Sequence, residues 1–65
     1  MLKVNGREMD LPPGFTVAKL LVRMQLSADR VAVERNGGIV PKKMFSAVML
    51  EEGDTVEIVS FVGGG

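Results

Sequence analysis

The sequence predicts an α+β domain in which a single helix packs on one face of a β-sheet. Asn-Gly pairs at residues 5–6 and 36–37 each separate two strand-like apolar runs, which is typical of β-hairpins. Apolar side chains repeat at helical spacing from 17 to 24, and the run at 55–62 is apolar on both faces. Because a domain needs two packed layers around its core, the one predicted helix must cover one face of the sheet.

The first hairpin is predicted at the start of the chain. The alternation of residues 2–4 resumes at Met9 and Leu11 on the far side of the turn at 5–6. Residues 12–14, Pro-Pro-Gly, end the return strand, because proline cannot donate to a ladder and keeps the preceding residue out of the helical region.

Thr16 begins the predicted helix as its N-cap, and Phe15 before it can pack on Leu20 at the fourth helical position. Lys19 and Arg23 are expected to face water. The opposite stripe is apolar and consists of Val17, Leu20, Leu21 and Met24. This stripe could instead bind a partner, but in a chain with one predicted helix it is needed as half of the core.

The second hairpin is predicted over residues 31–41. Val31 and Val33 share one side of its first strand, residues 36–38 turn the chain, and Pro41 closes the return strand. The sequence therefore predicts two hairpins, one on each side of the helix along the chain.

Residues 42–49 lack a clear period. We expect a loop or short turn to carry four apolar side chains across the edge of the core, namely Met44, Phe45, Val48 and Met49. Lys42 and Lys43 are predicted to be a solvated pair, with phosphate binding as the alternative. Residues 50–54 form a turn, with Gly53 available for a positive φ.

The last predicted strand, residues 55–62, carries apolar side chains on both faces, and one helix can cover only one of them. Val56 and Ile58 point to one face, toward the helix, and Val59 and Phe61 point to the other. An exposed apolar pair can be incidental. Because this pair adjoins the end of the chain, we expect Val59, Phe61 and Val62 to form a partner-binding surface.

Composition narrows the classes of function. The 65 residues allow one domain, and they include neither cysteine nor histidine, so a disulfide, a zinc site or an autonomous nucleophilic enzyme is not expected and no metal ligands are assigned. Eight basic and eight acidic side chains cancel, which disfavours nucleic acid as a partner and favours proteins. No apolar run approaches a membrane span, and the start of the chain leads into a strand rather than a secretory segment, so a cytoplasmic location is expected.

The chain ends in three glycines, Gly63, Gly64 and Gly65. Without Cβ atoms they cannot join a core, so they are expected to form a flexible tail that can thread into a partner's active site. The α-carboxylate of Gly65 would be ionised at neutral pH and able to attack the α-phosphate of a nucleotide. The alternative is a frayed end without a role.

A fixed order of short motifs covers nearly the whole chain. These are Val-Asn-Gly at 4–6, Val-Ala-Val-Glu-Arg-Asn-Gly at 31–37 with Ile-Val-Pro at 39–41, Gly-Asp-Thr-Val-Glu-Ile-Val at 53–59, and Phe-Val-Gly-Gly-Gly at 61–65. In this order they resemble the ThiS family of sulfur carriers, which belongs to the ubiquitin-like β-grasp superfamily. The second glycine after Asn36, Gly38, departs from the family pattern and affects only the expected turn.

The resemblance implies a fold and a chemistry. Residues 1–65 would form one β-grasp sulfur-carrier domain with a tail at 63–65, a mixed sheet of four to five strands, and the last strand near the centre beside the first. Gly65 would be adenylated by an E1-like adenylyltransferase of the ThiF type and then converted to a thiocarboxylate with sulfur from a persulfide donor. The thiocarboxylate would deliver its sulfur to a thiazole synthase of the ThiG type. The chain itself would bind no cofactor, because ATP and Mg²⁺ belong to the activating enzyme, and it would be a co-substrate rather than an enzyme.

Three alternatives remain open at this point. A terminal Gly-Gly also occurs in sulfur carriers for molybdopterin synthesis or tRNA thiolation and in ubiquitin-like protein modifiers. The short length, the Asn-Gly-x-Ile-Val-Pro stretch at 36–41 and the Phe-Val-Gly-Gly-Gly ending favour the thiamine pathway. A plain interaction module with incidental glycines would keep its function without the tail.

Overall fold

The structure, a computed structural model, describes residues 1–61. They form six regular elements and two short 3-10 turns, Ala28–Arg30 and Lys42–Met44. The elements are β1 (Leu2–Val4), β2 (Arg7–Met9), α1 (Val17–Arg23), β3 (Val31–Arg35), β4 (Gly38–Val40) and β5 (Thr55–Ser60).

The five strands form one mixed sheet in the order β2-β1-β5-β3-β4. β1 and β5 run parallel, and every other neighbouring pair is antiparallel. The last strand therefore lies at the centre beside the first, which confirms the β-grasp arrangement. β5 ends at Ser60, so it is shorter than the predicted 55–62.

Both predicted Asn-Gly turns are present. Asn5 and Gly6 have φ values of 49° and 82°, and Asn36 and Gly37 have values of 51° and 85°. Two consecutive left-handed residues are the signature of a type I′ turn, whose twist matches that of the flanking strands. Gly38 is not part of the turn, since it begins β4 and pairs with Arg35.

The helix and the inner face of the sheet enclose the core. The Oγ1 atom of Thr16 accepts a hydrogen bond from the Lys19 backbone N–H at 3.2 Å, which confirms the N-cap. The apolar stripe faces the sheet, with its first three members buried and Met24 half-buried. The buried apolar side chains are Leu2, Val4, Phe15, Val17, Leu20, Leu21, Val31, Val33, Val40, Phe45, Leu50, Val56 and Ile58.

The segment between β4 and β5 differs from the prediction. Of the four apolar side chains expected at the edge of the core, Phe45 is buried and Val48 is half-buried against the core, but Met44 and Met49 are 40% and 50% exposed and do not pack on it. The backbone of this segment caps the helix. The carbonyls of Val48 and Phe45 accept hydrogen bonds from the first two N–H groups of α1, at 3.1 and 2.8 Å. Those N–H groups have no partner within the helix, so this segment satisfies them.

Candidate functional site

The candidate site lies at the end of β5. Val56 and Ile58 are buried beneath the helix, whereas Val59 and Phe61 are 60% and 55% exposed on the opposite face of the sheet. The predicted division of this strand between two faces is therefore confirmed. Ala32 on β3 lies directly opposite Val59 and is half-buried. We call Ala32, Val59 and Phe61 the outer patch.

The side chain of Asn5 holds β5 where β1 ends. The Asn5 backbone N–H donates to the Val56 carbonyl at 2.9 Å, as in a regular parallel ladder. Its side-chain Oδ1 then accepts from the Ile58 N–H at 2.7 Å, and its Nδ2 donates to the Ile58 carbonyl at 3.2 Å. The amide thus replaces one peptide unit of a neighbouring strand, so the backbone groups of Ile58 stay paired after β1 has turned away.

Asn36, in the other turn, holds the beginning of β5. Its backbone N–H donates to the Thr55 carbonyl at 2.7 Å, and its Oδ1 accepts from the Thr55 N–H at 2.9 Å. Each of the two Asn-Gly turns therefore shapes a hairpin and also fixes the central strand. Asparagine suits both tasks because it tolerates a positive φ and carries both a donor and an acceptor.

Asp54 is buried immediately before β5 and joins this network. Its carboxylate accepts hydrogen bonds from Arg35 Nε at 2.8 Å, from Asn36 Nδ2 at 2.9 Å and from the Glu51 backbone N–H at 2.8 Å. Burial raises the pKa of Asp54, but the hydrogen bonds from Asn36, Glu51 and Arg35 outweigh burial and lower the pKa below its ordinary value. Asp54 is thus an ionised structural group on the far side of the sheet from Phe61.

The strand is held as far as the last described residue. The Phe61 N–H donates to the Arg30 carbonyl at 2.7 Å, which adds one pair beyond the regular β3–β5 ladder. Arg30 ends the 3-10 turn that leads into β3, so a second element fixes the position of Phe61. Val62, Gly63, Gly64 and Gly65, predicted as site residues, lie outside the described residues.

Two glutamates lie beside the outer patch. Glu57 on β5 is directly opposite Glu34 on β3, and both are exposed. In an antiparallel ladder, hydrogen-bonded pairs of residues alternate with pairs that are not hydrogen-bonded to each other. Phe61 with Arg30 and Asn36 with Thr55 are hydrogen-bonded pairs, and the glutamates lie an even number of residues from both. The glutamates are therefore also a hydrogen-bonded pair, whose Cα atoms are about 5.5 Å apart. We call Glu34 and Glu57 the glutamate pair. Like charges in this arrangement are unfavourable.

Sequence reasoning placed Val59 and Phe61 of the outer patch on one face but missed Ala32 and the surroundings of the patch. Alternation along 55–62 was enough to place Val59 and Phe61 on one face. The role of Asn5 was visible only as an Asn-Gly turn signal, and the glutamate pair depends on a register between strands that are distant in sequence. Within residues 1–61, no helix has the length and apolar character needed to cross a membrane.

Comparisons with known proteins address the chain as a whole. The model of the ThiS family matches residues 2–65. The sulfur carrier protein ThiS of Bacillus subtilis is 41% identical over 66 residues, an alignment that covers all of both chains. A crystal structure of the thiamine biosynthesis protein ThiS from Geobacter metallireducens superimposes with a TM-score of 0.79 at 34% identity, covering 98% of this chain and 97% of that one.

A second kind of relative is much longer. The thiazole synthase of Paramagnetospirillum magneticum is 44% identical over 64 residues, which cover 98% of this chain but 20% of that protein. This chain therefore spans about a fifth of that relative's length. The family match, the full-length Bacillus relative and the shared fold agree with one another, and the chain belongs to the ThiS family.

Proposed function

We propose that this protein is a sulfur carrier of thiamine biosynthesis that works through a thiocarboxylate on Gly65. The observation that carries the proposal is similarity along the whole chain to the Bacillus subtilis protein named sulfur carrier protein ThiS. The matched region includes the glycines at the end of the sequence. The proposal requires that Gly65 bears a free carboxylate in the cell.

The proposed chemistry exchanges one terminal oxygen for sulfur. A carboxylate oxygen of Gly65 attacks the α-phosphorus of ATP, and pyrophosphate leaves, which gives an acyl adenylate. The terminal sulfur of a persulfide donor then attacks the carbonyl carbon, and AMP leaves with the original oxygen. A thiol next cleaves the S–S bond of the resulting acyl persulfide and becomes part of a disulfide, so the carrier is released as a thiocarboxylate. The thiocarboxylate is a better nucleophile near neutral pH than the carboxylate it replaces.

In this scheme the chain positions its C-terminal residues for the partner enzymes and supplies no catalytic group. β5 is fixed by Asn5 on one side and by the Arg30 carbonyl on the other, so the strand presents its last described residue from a rigid sheet. The four residues after Phe61 can extend at most about 14 Å. An active site that accepts Gly65 must therefore approach the sheet closely, and the outer patch is the apolar surface beside that approach.

The proposed partners provide the catalytic groups. They are an E1-like adenylyltransferase of the ThiF type, which holds ATP and Mg²⁺, a persulfide donor, and a thiazole synthase of the ThiG type. The thiazole synthase is favoured as acceptor because a segment similar to this chain makes up a fifth of the Paramagnetospirillum protein of that name. The carrier is a co-substrate in these reactions.

Intact-mass spectrometry tests the proposal directly. After incubation with ATP, Mg²⁺, the activating enzyme and a sulfur source, the mass should increase by the difference between sulfur and oxygen, and fragmentation should locate the change at Gly65. Omitting ATP, or deleting Gly64 and Gly65, should abolish the increase. The truncated chain should unfold at nearly the same temperature, because neither glycine can contribute a side chain to the core. A stable bond from Gly65 to a lysine of another protein, without the sulfur increment, would indicate a protein modifier instead.

A further inference from the structure

Both asparagines of the chain precede a glycine, at residues 5–6 and 36–37. Asparagine is a thermolabile residue, and a following glycine lacks the Cβ that would hinder attack by its backbone nitrogen on the asparagine side chain. In that reaction the Gly37 nitrogen bonds to the Cγ atom of Asn36, the bond from Cγ to Nδ2 breaks, and ammonia leaves with the glycine proton. Water then opens the resulting ring at either carbonyl, which gives aspartate or isoaspartate. The reaction needs only water, so it does not depend on a partner protein.

The fold restrains the reactive amide of Asn36. Its Nδ2 donates to Asp54 Oδ1 at 2.9 Å, and its Oδ1 accepts from the Thr55 N–H at 2.9 Å. The nitrogen leaves in the reaction and the side chain turns back on its own backbone, so both hydrogen bonds must break first. The bond to Thr55 is exposed, and water can replace it. The bond to Asp54 is partly buried and its acceptor is charged, so it is the stronger restraint.

The same contact becomes unfavourable once the amide is converted. Asp54 is buried and its hydrogen bonds lower its pKa, so it is ionised at neutral pH. An aspartate at position 36 keeps an oxygen for the Thr55 N–H but has no donor for Asp54, so two carboxylates meet where an amide and a carboxylate were paired. Because Asn36 fixes the beginning of β5, the repulsion acts at the start of the central strand.

We propose that Asn36 is a deamidation site that the carboxylate of Asp54 keeps unreactive, and that its conversion loosens the start of β5. The change is one-way, because the ammonia is lost, and it adds one negative charge to the carrier. Each carrier molecule then has a limited lifetime, which is set by how often the bond from Asn36 to Asp54 opens.

Asn5 supplies a reference site in the same molecule. It also precedes a glycine in a turn, and the φ values of the two turns are nearly the same, 49° and 82° against 51° and 85°. Its amide is bound by the backbone N–H and carbonyl of Ile58 rather than by Asp54. Global unfolding exposes both asparagines and raises both deamidation rates together, whereas loss of the bond to Asp54 raises the rate at Asn36 alone.

The first test follows deamidation of the purified carrier by digestion at acidic pH and peptide mass spectrometry, in which a converted site gains the difference between oxygen and NH. Asp54→Asn is the informative variant. Two donors hold Oδ2 of residue 54, so the new amide oxygen stays there and the new amide nitrogen faces Asn36 Nδ2, donor against donor. The ratio of the rate at Asn36 to the rate at Asn5 should rise about tenfold or more.

The natural protein in dilute denaturant is the matched control, at a concentration that lowers its stability as much as Asp54→Asn does. Both rates should rise in this control and their ratio should stay constant. An equal ratio in Asp54→Asn and in the control would overturn the inference. Conversion of Asn36 in the folded natural protein as fast as in the fully unfolded chain would also overturn it.

Thermal unfolding tests the consequence of conversion. Asn36→Asp reproduces one of the two products and should lower the unfolding temperature by about 4 °C or more at neutral pH. Adding Asp54→Asn restores a donor and an acceptor in reversed places, so the double variant should unfold at a higher temperature than Asn36→Asp alone. A double variant that is no more stable than Asn36→Asp would show that the two carboxylates do not repel each other in the fold, and would refute the proposed loosening of β5.

Discussion

Replacing Phe61 with alanine tests whether the outer patch is an interface or part of the fold. A fully buried phenylalanine costs about 3 to 5 kcal/mol when it is cut to alanine. Phe61 is 55% exposed, so less than half of its surface is buried in the fold. The expected loss of folding stability in Phe61→Ala is therefore about 1 to 2 kcal/mol. If the ring is an anchor for the partner, its loss should cost a further 1 to 4 kcal/mol of binding, roughly 5-fold to several hundredfold in affinity.

The assay measures both quantities on the same preparation. Denaturant or thermal unfolding gives the stability of the carrier, and titration of the activating enzyme under conditions where the variant is fully folded gives its affinity. Val22→Ala is the matched control, because Val22 is 76% exposed on α1, on the other side of the molecule from the outer patch. We expect this control to change stability and affinity little.

Two results would refute the reasoning about Phe61. A variant that binds normally but loses 3 kcal/mol or more of stability would show that the ring supports the core. A variant that loses neither stability nor affinity would show that the exposed apolar pair is incidental. The interface interpretation requires the loss of affinity to exceed what Val22→Ala produces.

Two further predictions concern the fold. Leu20 is fully buried, so Leu20→Ala should destabilise the domain by about 2 to 5 kcal/mol, and near-normal stability in denaturant unfolding would mean that the helix stripe does not pack on the sheet. Asp54→Asn should cost about 1 to 3 kcal/mol at pH 7, because the carboxylate accepts three hydrogen bonds. The pKa of Asp54 is lowered in the folded state, so its stabilisation is complete above the unfolded pKa of about 3.9 and is lost as the pH falls through the folded pKa. The difference in unfolding free energy between the natural protein and Asp54→Asn should therefore narrow below about pH 4. A difference that stays constant with pH would contradict a lowered pKa of Asp54 in the folded state.

Short-range patterns were sufficient for most of the elements. Two left-handed residues in a row need Asn-Gly or a similar pair, a helix start needs an oxygen such as that of Thr16, and a strand alternates its faces whatever its neighbours are. These are properties of a few consecutive residues, so the sequence by itself determined the hairpins, the helix stripe and the exposure of Val59 and Phe61. The strand order of the β-grasp fold was predicted from the family resemblance that the order of motifs carries, because the alternation within a strand does not indicate which strands are neighbours.

Contacts between distant residues were decided only by the tertiary structure. The amide of Asn5 pairs with Ile58, which is 53 residues away, and the helix N–H groups are capped by carbonyls of a later segment. Met44 and Met49, in the same segment, are exposed although both are apolar. The glutamate pair likewise exists only in the register between β3 and β5. A one-residue shift of that register would place different side chains opposite each other without changing the pattern within either strand, and for this reason no local pattern could reveal the pair.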